Sequence, residues 1–240
     1  MKKLDGEIAI VTAALIGIGF ASAYTLAMNE ALVYIAGIEG EDSIEKILMN
    51  GGQAKFIYFN AKERDSYFKM IDTVYENEEK IDILVNNYGA TNTELDKNLV
   101  GVDTDAFFDI LKSNIESVYL TNKRTVPYMI KNGGGSIINI SSVGSIIPYL
   151  SRMAYFVSKS AIDSLTQNIT LQYVKQNIRC NAVLLGLIKT KAALNNMSIY
   201  FRESFLKHVP LHRVGNPQDI ANTVLYYASD ESNYITGFMK

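Results

Sequence analysis

The sequence predicts an α/β fold: one doubly wound domain in three layers, with a central parallel sheet covered by helices on both faces. Three observations predict it. Short β-branched apolar runs alternate with longer stretches of helical period, the signal of βαβ units. Most of those runs are continuously hydrophobic rather than alternating, as strands buried on both faces must be. The 240 residues suit a single core over 1–240, with no repeat or linker in them.

Strands are expected at 8–11, 31–36, 54–59, 81–86, 136–141 and 179–184, each a short run rich in Ile, Val, Leu or Ala. The first helix is expected at 19–29. The whole stretch 8–29 is uncharged, follows Lys2 and Lys3, and contains Ala21-Ser22-Ala23, so an exported leader is the competing reading. Asp5 and Glu7 interrupt the basic region, Gly17 and Gly19 break the apolar run, and Thr12, Ser22, Tyr24 and Thr25 suit a spanning helix badly. A buried strand followed by a helix is therefore preferred. The remaining helices fall at 42–50, 64–76, 104–130, 153–175 and 217–229, the last with Asn216 as its cap and Pro217 in the first helical position. Residues 192–211 form a long apolar insertion after the sixth strand and are expected to be a substrate lid.

Composition narrows the function. Hydrophobic residues are 48% and charged residues 20%, which excludes disordered and fibrous classes. A net charge of −2 without long charge runs offers no footprint for nucleic acid or an anionic membrane, so a small molecule is the expected partner. Cys180 is the sole cysteine and His208 and His212 the only histidines, so neither a disulfide framework nor a metal-ligand set is expected, and a reducing cytoplasm fits.

The chemistry is expected at the carboxyl ends of the strands. Gly17-Ile18-Gly19 after Thr12 would turn backbone amides and a helix dipole toward a diphosphate. The glycine spacing is incomplete, because Ser22 holds its last position, and a plain strand-to-helix turn reads as well. Tyr155 and Lys159, four apart on a helix, would put an ammonium beside a phenol and let it shuttle a proton. Tyr58/Lys62 and Tyr119/Lys123 share that spacing. Only Tyr155 has a serine thirteen residues earlier, Ser142, at the end of the fifth strand. Asn86-Asn87-Tyr88-Gly89 ends the fourth strand at the same edge.

With those residues the chain resembles the short-chain dehydrogenase/reductase family over essentially its whole length. The resemblance rests on Thr12 with Gly17-Ile18-Gly19, Asn86-Asn87-Tyr88-Gly89, Asn114, Ser142, Tyr155 with Lys159, and Gly186 with Ile188 and Thr190. Within the family it looks most like the clostridial 7α-hydroxysteroid (bile acid) dehydrogenases, through 86–92, 96–99, 179–183 and 205–211. The resemblance implies a Rossmann sheet, a nicotinamide cofactor and a steroid alcohol as substrate, in a homo-oligomer, commonly a tetramer. Tyr155 would be the general acid or base, with Ser142 orienting the substrate oxygen. Lys159 would hold the nicotinamide ribose and depress the Tyr155 pKa, and Asn114 would link it through water to solvent. Substrate contacts are implied for Ser142, Ser145 and Tyr155. Cofactor contacts are implied for Thr12, Ile16, Gly17, Ile18, Gly19, Ile38, Glu39, Asn60, Ala61, Asn87, Gly89, Tyr155, Lys159, Ile188 and Thr190. A 3-oxoacyl thioester reductase is the sister reading, and a silent nucleotide-binding protein the reading from another class.

Departures set further expectations. Ala13 stands where many relatives have glycine, and Leu185 replaces the proline before Gly186. NADP-using relatives offer arginines where Ile16 and Ile38 stand here, which favours NAD over NADP. NAD-using relatives place an aspartate at the position of Gly37, a role left to Glu39. Family members continue beyond Thr236-Gly237 into a seventh strand and a tail, whereas this sequence ends at Lys240. The sheet is therefore expected to lack its seventh strand and to leave the sixth with a bare edge.

Overall fold

Six strands alternate with six helices along the chain in a computed structural model that describes residues 3–191, 193, 206–207 and 209–239. The strands are β1 (Ile8–Thr12), β2 (Leu32–Gly37), β3 (Gln53–Tyr58), β4 (Ile83–Asn86), β5 (Gly135–Ser142) and β6 (Ile178–Leu185). The helices are α1 (Gly17–Ala27), α2 (Glu41–Met49), α3 (Arg64–Glu78), α4 (Thr104–Lys131), α5 (Met153–Tyr173) and α6 (Pro217–Ala228). All strands are parallel in the order β3-β2-β1-β4-β5-β6. The chain runs outward from β1 through β2 to β3, returns, and runs outward the other way from β4. The carboxyl ends of β1 and β4 thus flank the crevice where such sheets bind ligands. The expected lid and His208 fall almost wholly outside the described residues.

The continuous apolar runs have a simple cause. In β1, Ala9 and Val11 pack into the layer holding Leu26, Ile47 and Val224, whereas Ile8 and Ile10 pack into the opposite layer with Met70, Ile71 and Met129. Alternate side chains of one strand enter two cores, so neither face can be polar.

One expectation about β6 is corrected. Its outer edge is partly covered, because residues near the end of the chain run alongside it. Gly237 N donates to Cys180 O at 2.8 Å, Ala182 N donates to Phe238 O at 2.8 Å, and Ala182 bridges Met239 in parallel sense. Cys180 N finds the Thr236 hydroxyl at 3.0 Å, and the Asn181 amide takes Ile235 O and serves Phe238 N. The bare edge expected from the end of the sequence is therefore paired at Cys180 and Ala182. Gly237, at φ +74, supplies the left-handed turn that brings the segment alongside.

At the amino edge of the sheet, β4 starts two residues later than expected because Asp82 is used as a tie. Its carboxylate accepts Ile8 N at 2.7 Å and the Lys80 ammonium at 2.9 Å. Glu7 lies beside it, and burial, then the Asp82 charge, push its carboxyl from 4.5 up to about 7. Between those two values the folded chain keeps a proton that the unfolded chain has released, so stability falls as pH rises through this window and levels off above about 7. Glu7→Gln is expected to melt above the unsubstituted protein near pH 8 and level with it at about pH 5. An equal difference at both pH values would contradict the assignment.

Candidate active site

The turn after β1 is built to present bare amides. Ile16, in extended conformation, precedes α1 without any side-chain cap, and no acidic residue lies in the first turn. The helix dipole and the free N–H groups therefore have no acceptor among the described residues. Gly17, at φ +61, starts the helix, and a Cβ there would meet the Thr190 methyl at 3.5 Å, so Thr190 stands directly beside the turn. A Cβ on Gly19 would lie 2.5 Å from both Ala13 O and Asn87 Nδ2, closer than any side chain tolerates. Thr12 and Asn87 bind β1 to β4: Asn87 N donates to Thr12 Oγ1 at 2.9 Å, and the Asn87 amide donates to Thr12 O and Ala13 O at 3.1 and 3.0 Å. Both residues sit in the predicted site, with these polar groups committed to shaping the turn.

Ala13 occupies the left-handed region at φ 51. That conformation costs a residue with a Cβ about 1–2 kcal/mol, against about 0.4–1 kcal/mol that alanine recovers over glycine through a less free unfolded chain. Ala13→Gly is therefore expected to stabilise the protein by about 0.5–1 kcal/mol, read as a higher urea midpoint. A lower midpoint would contradict this.

The ends of β2 and β3 carry the remaining cofactor candidates. Ile16 and Ile38 are 69% and 58% exposed, and Glu39 is exposed beside them. A Cβ on Gly37 would come within 2.8 Å of the Leu15 side chain, so an aspartate there would displace Leu15. Asn60 is held by Glu63 through its amide at 2.8 Å and by Ser66 at its main chain, and Ala61 O accepts from the Tyr67 hydroxyl at 3.0 Å. Ile188 bridges Gly215, which fixes the loop after β6 beside the turn.

The reacting groups gather where β5 ends. Ser142 Oγ accepts Gly144 N at 3.2 Å, which leaves the hydroxyl hydrogen for a ligand, and Ser145 Oγ donates to Ser142 O at 2.6 Å. A Cβ on Gly144 would run into the Phe156 ring at 2.1 Å, so this loop is pressed against α5. On α5, Lys159 is 2% exposed, and its ammonium donates to Ile140 O at 2.8 Å. Burial pulls its pKa down to about 8, opposed by the charge of Asp163. Gly89 allows that ammonium to approach, since a Cβ there would sit 3.2 Å from it. Asn114, fully buried, accepts Ala90 N at 2.6 Å and donates to Ala90 O and Ser158 Oγ. Its side chain thereby ties α4 to the loop after β4 and to α5.

Burial raises the pKa of Tyr155, and the charge of Arg152 opposes this. The guanidinium of Arg152 lies 4.3 Å from the centre of the Tyr155 ring, and the Lys159 ammonium lies 5.5 Å from it.

A family profile described as enoyl-(acyl carrier protein) reductase matches residues 13–239. A 7α-hydroxysteroid dehydrogenase from Clostridium sardiniense is 61% identical over 242 positions, covering 100% of this chain and 92% of that protein. The chain belongs to the short-chain dehydrogenase/reductase family. Another member, a 7α-hydroxysteroid dehydrogenase from Paraclostridium sordellii, is 52% identical, covering 99% of this chain and 90% of its own. Among solved structures, a 7α-hydroxysteroid dehydrogenase complexed with NADH and 7-oxo glycochenodeoxycholic acid superposes with TM-score 0.91 at 30% identity, covering 99% of this chain and 92% of that one.

This short-chain dehydrogenase/reductase also uses residues to which the sequence reading gave no role. Asp96 is fully buried, and its two carboxylate oxygens accept Ala154 N at 2.9 Å and Tyr155 N at 3.0 Å, capping α5 from a distant loop. The available signal was a helix whose own cap position, Arg152, offers no side-chain cap. Asp163 is 6% exposed, and burial raises its pKa, opposed by the Ser141 and Ser145 hydroxyls and the charge of Lys159. Under the site, Asn86 joins Asn122, Asn139 and Thr121 in a buried amide network, and Asn139 goes on to Thr166. Cys180 lies at the far end of it, its thiol pushed up to about 12 by burial, which leaves it as packing.

Proposed function

We propose that this chain is an NAD-dependent oxidoreductase that interconverts a secondary alcohol and its ketone, the alcohol being the 7α-hydroxyl of a bile acid. The observation that supports the reading is the Lys159 ammonium 5.5 Å from the Tyr155 ring on the helix that follows Ser142, with an uncapped start to α1, in a chain 61% identical to a 7α-hydroxysteroid dehydrogenase. The residues at hand fit a dinucleotide. Free amides without an acidic neighbour suit a diphosphate, and Gly17 and Gly19 keep that turn free of side chains. When bound, the nicotinamide would supply hydride transfer.

The protein's own groups handle the proton and the geometry. Tyr155 passes a proton to or from the substrate oxygen, and Ser142, whose Oγ already accepts Gly144 N, donates its hydrogen to the same oxygen. Lys159 would hold the nicotinamide ribose, and Asn114 keeps the wall of the site in place. The test is the appearance of NADH absorbance with a 7α-hydroxylated bile acid and NAD, run beside a 3-oxoacyl thioester with NADH or NADPH. Turnover of the thioester alone would favour the sister reductase.

Apolar Ile16 and Ile38 stand where a 2′-phosphate needs cations, and Glu39 would repel one. Two missing charge-assisted contacts at about 1.5–3 kcal/mol each should make NAD the tighter ligand. Ile16→Arg with Ile38→Arg is expected to reverse that preference in binding titrations. Tighter binding of NADP by the unsubstituted protein would contradict this reading of the turn.

We also read the protein as a cytoplasmic homotetramer. The free, buried Cys180 supports a reducing compartment, and no described helix is long and apolar enough to cross a membrane. Val100 at 95% and Leu150 at 96% exposure, with Phe108 at 62%, support subunit contacts. Sedimentation at the mass of one chain would exclude them.

A further inference from the structure

The residue that precedes α5 as its cap is held in an uncommon conformation over the Tyr155 ring. Arg152 lies in the left-handed region at φ 65 and ψ 43, where a side chain persists only if its surroundings hold it. Here they do. Arg152 N donates to Asp96 O at 3.2 Å, Met153 N donates to Lys97 O at 3.1 Å, and the Asp96 carboxylate takes the next two amides. The result lays the guanidinium across the Tyr155 ring at 4.3 Å and near the Phe156 ring at 5.4 Å, with one amino group on the Thr91 hydroxyl at 3.2 Å. Its Nε is buried and has no hydrogen-bond partner.

Such a placement does little for neutral phenol beyond a cation–π contact. It does much more for the phenolate, whose negative charge spreads over the same ring. We propose that Arg152 is a positioning residue that stabilises the ionised form of Tyr155, adding a second cation over its ring to that of Lys159. The inference rests on Tyr155 being the proton-transferring group. Among the described residues, the charged groups around that ring are Arg152 at the cap of α5, Lys159 on α5, Asp163 one turn beyond Lys159, and Asp96 from the loop after β4 at its main-chain amide. Among these Arg152 acts on Tyr155 in the lowering direction, against its burial.

The experiment compares Arg152→Met, which removes charge at similar length, with Arg152→Lys, which keeps it. In the oxidative direction kcat/KM rises with pH to a plateau whose midpoint reports the Tyr155 and Lys159 pair. Arg152→Met is expected to move that midpoint up by about one pH unit with the plateau changed less than about threefold, and Arg152→Lys to recover at least half of the shift. Arg152→Gln carries the same expectation as the methionine variant and replaces it if that variant fails to bind NADH. A midpoint within about 0.3 unit of the unsubstituted enzyme, or a lowered plateau without a shift, overturns the proposal. A second readout needs no turnover: the tyrosinate ultraviolet difference titration of each protein less that of its Tyr155→Phe counterpart. The transition should appear at higher pH without Arg152, and an unmoved transition likewise overturns the proposal. An unsubstituted enzyme inactive on any alcohol would fail the functional reading, while this titration still decides the role of Arg152.

Discussion

Tyr155→Phe is expected to lower turnover about 10²- to 10⁴-fold while leaving dinucleotide affinity within about twofold. The reason is local. The substitution removes one oxygen and keeps the ring, which remains between the Arg152 guanidinium and the edge of Phe156, so α5 and the wall of the site stay packed. Among the described residues, the Tyr88 hydroxyl is already engaged with Ser113 and the Tyr67 hydroxyl with Ala61 O. Single-turnover kinetics and NADH titration of the same preparation check both halves. Retention of more than about a hundredth of the rate would remove Tyr155 from proton transfer. A parallel loss of NADH affinity would show that its ring, rather than its oxygen, is what matters.

The second large effect is expected far away in sequence. Asp96→Ala leaves two buried amides at the start of α5 without acceptors and takes a negative charge from the positive end of that helix. Hydrogen bonds to a charged group contribute about 1.5–3 kcal/mol each, and the two are not independent, so a loss of about 2–5 kcal/mol is expected in urea unfolding. Activity should fall further than stability alone explains, because one of the two amides is that of Tyr155 itself. Asp96→Asn keeps a neutral acceptor and should recover part of both. A loss under about 1 kcal/mol for the alanine variant would mean that α5 is capped in some other way.

Much of this was legible from the sequence because strands buried on both faces advertise themselves as unbroken apolar runs. β5 and β6 each extend the expected run by one residue at either end, and α4 begins at the expected Thr104. The differences have local causes. α1 starts at Gly17 because the phosphate turn itself closes the first helical bonds, and β4 is shortened by the Asp82 tie. α5 ends at Tyr173 and gives way to a 3-10 turn at Val174–Gln176. The predicted site residues Thr12, Gly17, Asn87, Ser142, Tyr155 and Lys159 each stand at or just after the end of a strand or on a helix that follows one. What periodicity could not supply was the coupling across long separations. Asp96 capping a helix 58 residues later and the pairing of residues 235–239 with β6 depend on loops whose paths no local pattern encodes. A four-residue spacing puts Lys159 on the same face as Tyr155, with its ammonium 5.5 Å from the ring centre and bonded to Ile140 O, but no local pattern shows that Arg152 reaches the same ring from the turn before the helix.

In the function proposed above, this chain oxidises one particular hydroxyl of a steroid with NAD. The most direct measurement is nicotinamide absorbance at steady state with a matched set of bile acids that differ only in which of the hydroxyls at carbons 3, 7 and 12 are present, each run with NAD and with NADP. Turnover that requires the 7α-hydroxyl, ignores the other two, and runs better with NAD is the expected result. Turnover that persists when carbon 7 bears no hydroxyl, or none with any member of the set, would contradict the account.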